Sequence, residues 1–411
     1  MRETQERAVP ASWSRWFSLT GALVLMACGS RGETQLATDY QAAAERIIPR
    51  VEQAVGLSFR TPPNIAVRTK QEVAAYLAGK LESELPPEKL DGIAAAYGLF
   101  GLIPDTLDLR SLLHSLYSEQ VAGYFDPDSN ALYLVEGTDP VQVSLVLAHE
   151  LAHALQAQYV ALDSLLDADK PNDVAMAAQA VLEGQAVLAS IRAMLPDRDL
   201  DDIPDFRDIF QATIEQQQSA MPVFSAAPAI IREGLIFPYL DGAIFVDWFD
   251  KAFRDTVPYG PRLPVSTEQI LHTDRYRAGD VPVMLRFLPA VGLVYQDGLG
   301  EFEIRILLSE LSGSKSVGRA GALGWDGDQF AVLDAGPGDF ALVWWTVWDN
   351  QQAADRFESL LRVEWLKKVE PSRRFEVERS ELGGQPAVRL VDAPERWSGW
   401  SQIPSVEVEP S

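Results

Sequence analysis

The run from Val143 to Leu155 constrains this 411-residue chain more than any other, because it holds His149, Glu150 and His153 inside an otherwise apolar stretch. Leu145, Val146, Leu151, Ala152 and Leu155 surround the three polar residues. On an α-helix, residues four apart lie one above the other, so His149 and His153 aim at a common point. Burying two imidazoles and a carboxylate among leucines is costly unless something binds them, and a metal ion, zinc by its donor preference, offsets that cost. Glu150, one position from His149, falls beside such an ion, where it can take a proton from an activated water without being a ligand. The chain has four histidines, so a chance His-Glu-x-x-His is expected at well under about 1%.

Two histidines leave a zinc site one protein ligand short. A metzincin pattern would need Gly at 156 and His at 159, but these positions hold Gln156 and Tyr159. The best third ligand is Glu183, set among Val181, Leu182, Ala186 and Val187. The roughly thirty residues after His153 suffice to end one helix, turn and run an antiparallel partner back past the metal.

At these residues the chain resembles the gluzincins, zinc peptidases with a His-Glu-x-x-His helix and a glutamate ligand from a following helix. More narrowly, it is similar to a group of secreted bacterial and archaeal gluzincin-like proteins. The matching pieces are Glu119-Gln120-Val121-Ala122-Gly123-Tyr124-Phe125-Asp126-Pro127, Leu147-Ala148-His149-Glu150-Leu151-Ala152-His153-Ala154-Leu155-Gln156, Leu182-Glu183-Gly184, Phe237-Pro238-Tyr239 and Ser266-Thr267-Glu268-Gln269-Ile270-Leu271-His272. The resemblance implies a zincin core, peptide-bond hydrolysis by water activation and a peptide or protein substrate. It also implies an edge strand beside the active helix, assigned here to Leu132-Tyr133-Leu134-Val135, and an oxyanion donor, for which His272 and Tyr239 are the candidates. Thermolysin-like members carry an Asp four residues after the ligand Glu; this chain has Val187 there, so the carboxylate orienting an imidazole is sought at Asp173 or Asp241.

The N-terminus reads as a targeting segment. Arg2, Arg7 and Arg15 precede an apolar run from Trp16 to Ala27, which ends in Leu25-Met26-Ala27-Cys28 and resembles the bacterial lipobox. Cys28 is the only cysteine, which excludes an intramolecular disulfide and a cysteine metal site. The expectation is a lipid on Cys28 and an extracytoplasmic protein anchored to the cell membrane or, given Gly29, the outer membrane. With 59 acidic against 35 basic residues, the formal charge of −24 repels a phosphate backbone and argues against nucleic-acid binding.

The fold class expected is α+β: a mostly helical, zincin-like core with an edge β-hairpin, and a C-terminal α+β accessory unit. Residues 1–27 read as signal peptide, 28–38 as tether, 39–280 as the metallopeptidase domain with a small α/β preface, 281–395 as the accessory unit and 396–411 as an irregular tail. Pro49 is expected to kink or break the first helix, and Asp126-Pro127-Asp128-Ser129-Asn130 to turn a hairpin. In residues 281–390 strand-like runs surround one helix at Ala353 to Leu361, and Trp344, Trp345 and Trp348 read as core rather than groove. A rival reading keeps the zinc but not the chemistry: a zinc-stabilised surface lipoprotein that binds a protein or polymer, in which Glu150 is dispensable.

Overall fold

The computed structural model describes residues 33–409 apart from 166–169, 197–202, 204–205, 218–219 and 255. The targeting segment and Cys28 lie outside the described residues. Helix α1 (Glu33–Val55) begins inside the stretch read as tether and continues through Pro49 without a break. It is followed by β1 (Asn64–Arg68), α2 (Lys70–Glu84), α3 (Pro87–Phe100) and α4 (Leu109–Gln120). Local chemistry sets these boundaries. Thr69 and Glu72 close a capping box at the start of α2, Asp108 accepts from the Ser111 backbone at the start of α4, and Gly101 ends α3 in the left-handed region at φ 76°.

The expected hairpin forms as β2 (Gly123–Asp126) and β3 (Ala131–Val135), antiparallel, turning at Asn130 with φ 46°, a conformation that Asn tolerates better than most residues. The sheet order is β1-β3-β2, with β1 parallel to β3. The edge beside the active helix is therefore β2, and Leu132-Tyr133-Leu134-Val135 is the central strand, a correction to the expectation. Pairing with β1, more than sixty residues earlier, leaves no local mark in the hairpin's own sequence. Strand β2 presses on the next helix, α5 (Pro140–Gln156): a Cβ at Gly123 would lie 2.8 Å from Val146 Cγ1.

After α5 come α6 (Leu162–Leu165), α7 (Asn172–Met194), α8 (Phe206–Gln217), α9 (Pro222–Ala226), α10 (Ala229–Ala252), α11 (Thr267–Leu271) and α12 (Thr273–Ala278). By length and composition α7 passes for a membrane span, but 72% of its most apolar window is buried against α1, α5 and α10. It crosses α10 at backbone contact. A Cβ on Gly184 would lie 2.1 Å from the Gly242 carbonyl carbon, and one on Gly242 would lie 2.0 Å from the Ala180 oxygen. Only glycine permits that approach.

The C-terminal part holds β4 (Leu285–Phe287), β5 (Leu293–Asp297), α13 (Gly300–Ser312), α14 (Lys315–Ala322), β6 (Trp325–Asp334), β7 (Phe340–Trp348), α15 (Gln351–Lys368), β8 (Arg373–Leu382), β9 (Gln385–Pro394) and β10 (Val406–Val408). Helices α13 and α14 are additions to the single helix expected there. Strands β5-β6-β7-β9-β8 make an antiparallel sheet, and β10 pairs with β4, so the last stretch carries a strand. Trp344 and Trp348 are fully buried; the indole of Trp344 donates to Asp328, as does that of Trp325, which keeps one buried carboxylate satisfied. One apolar cluster runs from Ala177 and Leu182 of α7 through Phe245 of α10 to Trp344 and Phe357, so both halves of this α+β chain share a core.

Candidate metal centre

Helices α5 and α7 pack side by side and bring three donor atoms together. His149 Nε2 lies 3.1 Å from His153 Nε2 and 3.2 Å from Glu183 Oε2, and His153 Nε2 lies 3.4 Å from the same oxygen. Relative exposures are 3%, 0% and 1% for His149, His153 and Glu183. A buried triangle of two imidazole nitrogens and a carboxylate oxygen is an arrangement that can hold a metal ion. All three residues stand where the sequence placed them.

Electrostatics prepares the donors. Burial pulls the His149 imidazole below its ordinary value, which favours the neutral ring. Burial by itself would raise the Glu183 carboxyl, but His153 and then His149 outweigh it and hold the group at about 2. A carboxylate and a neutral imidazole are the forms that bind a cation. Burial also acts to lower His153, and there the Glu183 carboxylate prevails and raises it. Glu150 is wholly buried on the same helix, close enough to His153 to bear on that charge.

The partner that orients His153 is an amide. His153 Nδ1 donates to Gln156 Oε1 at 2.8 Å, while Gln156 Nε2 donates to the Leu182 carbonyl and to Gln185 Oε1, both at 3.0 Å. Because Nε2 of Gln156 has two acceptors, the amide orientation is fixed, and with it the proton on His153 Nδ1, which leaves Nε2 as the ring atom facing His149 and Glu183. The Tyr259 hydroxyl donates to the same Gln185 oxygen. Asp173 and Asp241, the carboxylates sought for this role, are engaged elsewhere. Asp173 accepts from the Thr267 backbone and hydroxyl near α11, and Asp241 accepts from Arg207 at 2.7 Å. Gln156 follows His153 by one helical turn, a signal legible in the sequence to a search not confined to acids.

Of the two residues considered for an oxyanion, Tyr239 of α10 stacks on the His149 ring at 6.0 Å and 16°. His272 does not join the cluster: its Nε2 lies 3.0 Å from Glu301 Oε1 and 2.8 Å from an Arg305 nitrogen, both on α13. The turn between α11 and α12 points it to α13, a correction to its candidacy.

Residues 290–395 match a family described as a domain of unknown function, DUF8575, a stretch that leaves out His149, His153 and Glu183. None of the curated proteins matches the chain. A crystal structure from Chloroflexus aurantiacus, described as a candidate hydrolase with a novel fold, is similar at 17% identity over 61% of this chain and 92% of its own, with a TM-score of 0.39. A likeness that loose carries no argument about activity.

Proposed function

We propose that this chain is an extracytoplasmic, zinc-dependent peptidase of gluzincin type. The observation that carries the reading is the triangle of donors at 3.1, 3.2 and 3.4 Å. Ligands of a tetrahedral zinc stand about 3.3 Å apart, so His149, His153 and Glu183 fit that ion and would hold it. When bound, zinc supplies the positive charge that polarises a carbonyl and acidifies a water.

The rest falls to the protein. Glu150, one residue from His149, is placed to take the proton of the attacking water and return it to the leaving amine. Gln156 holds the His153 ring so that Nε2 stays a donor to the ion. Tyr239 is the residue proposed to stabilise the oxyanion, on the strength of its place over His149. Strand β2 pairs with no strand beyond β3 among the described residues, is buried over Gly123–Phe125, and faces α5 at Gly123, one turn ahead of His149. Attachment through a lipid on Cys28 belongs to the same proposal and rests on Leu25-Met26-Ala27-Cys28.

Elemental analysis and a peptide-library screen test this together. About one zinc per chain is expected in the parent, with loss in His149→Ala and Glu183→Ala. Glu150→Gln should keep the zinc and lose about 10²–10⁴-fold in cleavage rate. A zinc-loaded parent that cleaves nothing would sink the hydrolase and favour the zinc-stabilised binding protein; a parent that takes up no zinc would sink both.

A further inference from the structure

Arg207, Arg232, Arg305, Lys315 and Arg319 line one cavity of about 380 Å³. In a chain of formal charge −24 this is a local inversion of sign, since among the described residues two carboxylates, Glu233 and Asp241, line the same space. Lys315 pairs with Glu233 at 2.8 Å and Arg207 with Asp241 at 2.7 Å. Arg305 turns to Glu301 and Arg232 to the Ala227 carbonyl. Arg319 is exposed and makes no ion pair or side-chain hydrogen bond among the described residues. The cations therefore outnumber the groups that neutralise them. The floor is apolar, built from Phe224, Phe237, Leu240 and Phe302.

The cavity adjoins the metal centre through α10. Ile236 and Leu240 line it, while Tyr239, on the same turn of helix, stacks on His149. Phe224 of the floor belongs to α9, whose start is fixed by Glu119, which accepts from the Val223 and Phe224 backbone at 2.9 Å.

We propose that the cavity is a substrate subsite for acidic residues, taking the methylenes of an Asp or Glu side chain on the aromatic floor and its carboxylate on Arg319 and Lys315. The proposal rests on the peptidase reading and names its substrate class: peptides rich in carboxylate.

The test uses the full chain in detergent, loaded with zinc, and fluorescent peptides matched except for Asp and Glu against Asn and Gln. Binding is read by anisotropy on Glu150→Gln, and cleavage on the parent. The acidic peptide should bind about tenfold more tightly at low ionic strength, with the advantage shrinking as salt is added. Lys315→Glu with Arg319→Glu, both at exposed positions, should abolish that advantage, a melting curve showing that the variant folds. Equal binding of the two peptides, or an acidic preference that survives charge reversal, overturns the subsite. Cleavage without acidic preference overturns it alone. Acidic preference in binding with no cleavage of any peptide overturns the hydrolase and leaves the subsite standing.

Discussion

Replacing Gln156 by Leu asks whether the amide orients the metal ligand. The substitution keeps the side chain's bulk and removes the acceptor 2.8 Å from His153 Nδ1, in a place with no exposure to water to replace it. Loss of such a partner costs about 10- to 100-fold in metal affinity, equivalent to about 1.4–2.7 kcal/mol. The fold should lose less. Gln185 Oε1 keeps the Tyr259 hydroxyl, so the two bonds Gln156 donates are only partly uncompensated, and a cost of about 1–2 kcal/mol is expected. Competition with a chromophoric chelator gives the zinc Kd, and urea unfolding separates the two effects. A Kd within about twofold of the parent, while Glu183→Ala loses zinc, would refute the orienting role. Gln185→Leu leaves the 2.8 Å bond in place and should shift the Kd by less than Gln156→Leu does.

Gly184→Ala should destabilise by about 3 kcal/mol or more in urea, because its Cβ meets backbone 2.1 Å away and the helices must part; parent-like stability would mean the crossing is looser than described. Burial raises Asp173 to about 7, Glu303 to about 8 and Glu268 to about 9, against ordinary values of 3.8 for Asp and 4.5 for Glu. The folded state then holds more protons than the unfolded across this window, so their contribution is intact below about pH 4 and is lost as pH rises through 7, 8 and 9. The melting temperature of the zinc-loaded protein should fall from pH 6 to pH 9, and Glu303→Gln should flatten that fall between pH 6 and pH 8. A parent that melts higher at pH 9 than at pH 6 would contradict the sign.

The triangle of His149, His153 and Glu183 was legible because a site able to hold a metal needs strict local spacing: two histidines four apart on a helix, and a carboxylate from a helix able to return past them. Helices such as α5, α7 and α15 could be read from period and apolar content. What escaped depends on contacts distant in sequence. The parallel pairing of β1 with β3, which makes β2 the edge, is absent from the hairpin's own residues. His272 looks like a site residue by type, and only the packing of α11 on α13 delivers it to Glu301. Helices α13 and α14 were hidden among strand-like runs, and β10 within a tail of Pro, Trp and acids, because each is fixed by what it packs or pairs with.

The glycine crossing has a mechanical consequence. Glu183 precedes Gly184, and Tyr239 stands three residues before Gly242, so the third ligand and the tyrosine above His149 belong to one slab whose two helices touch backbone to backbone. Such a slab has no compressible side-chain layer with which to slide. The Glu183 carboxylate and the Tyr239 ring therefore move together when either helix shifts, and their spacing is set by backbone and not by side-chain packing.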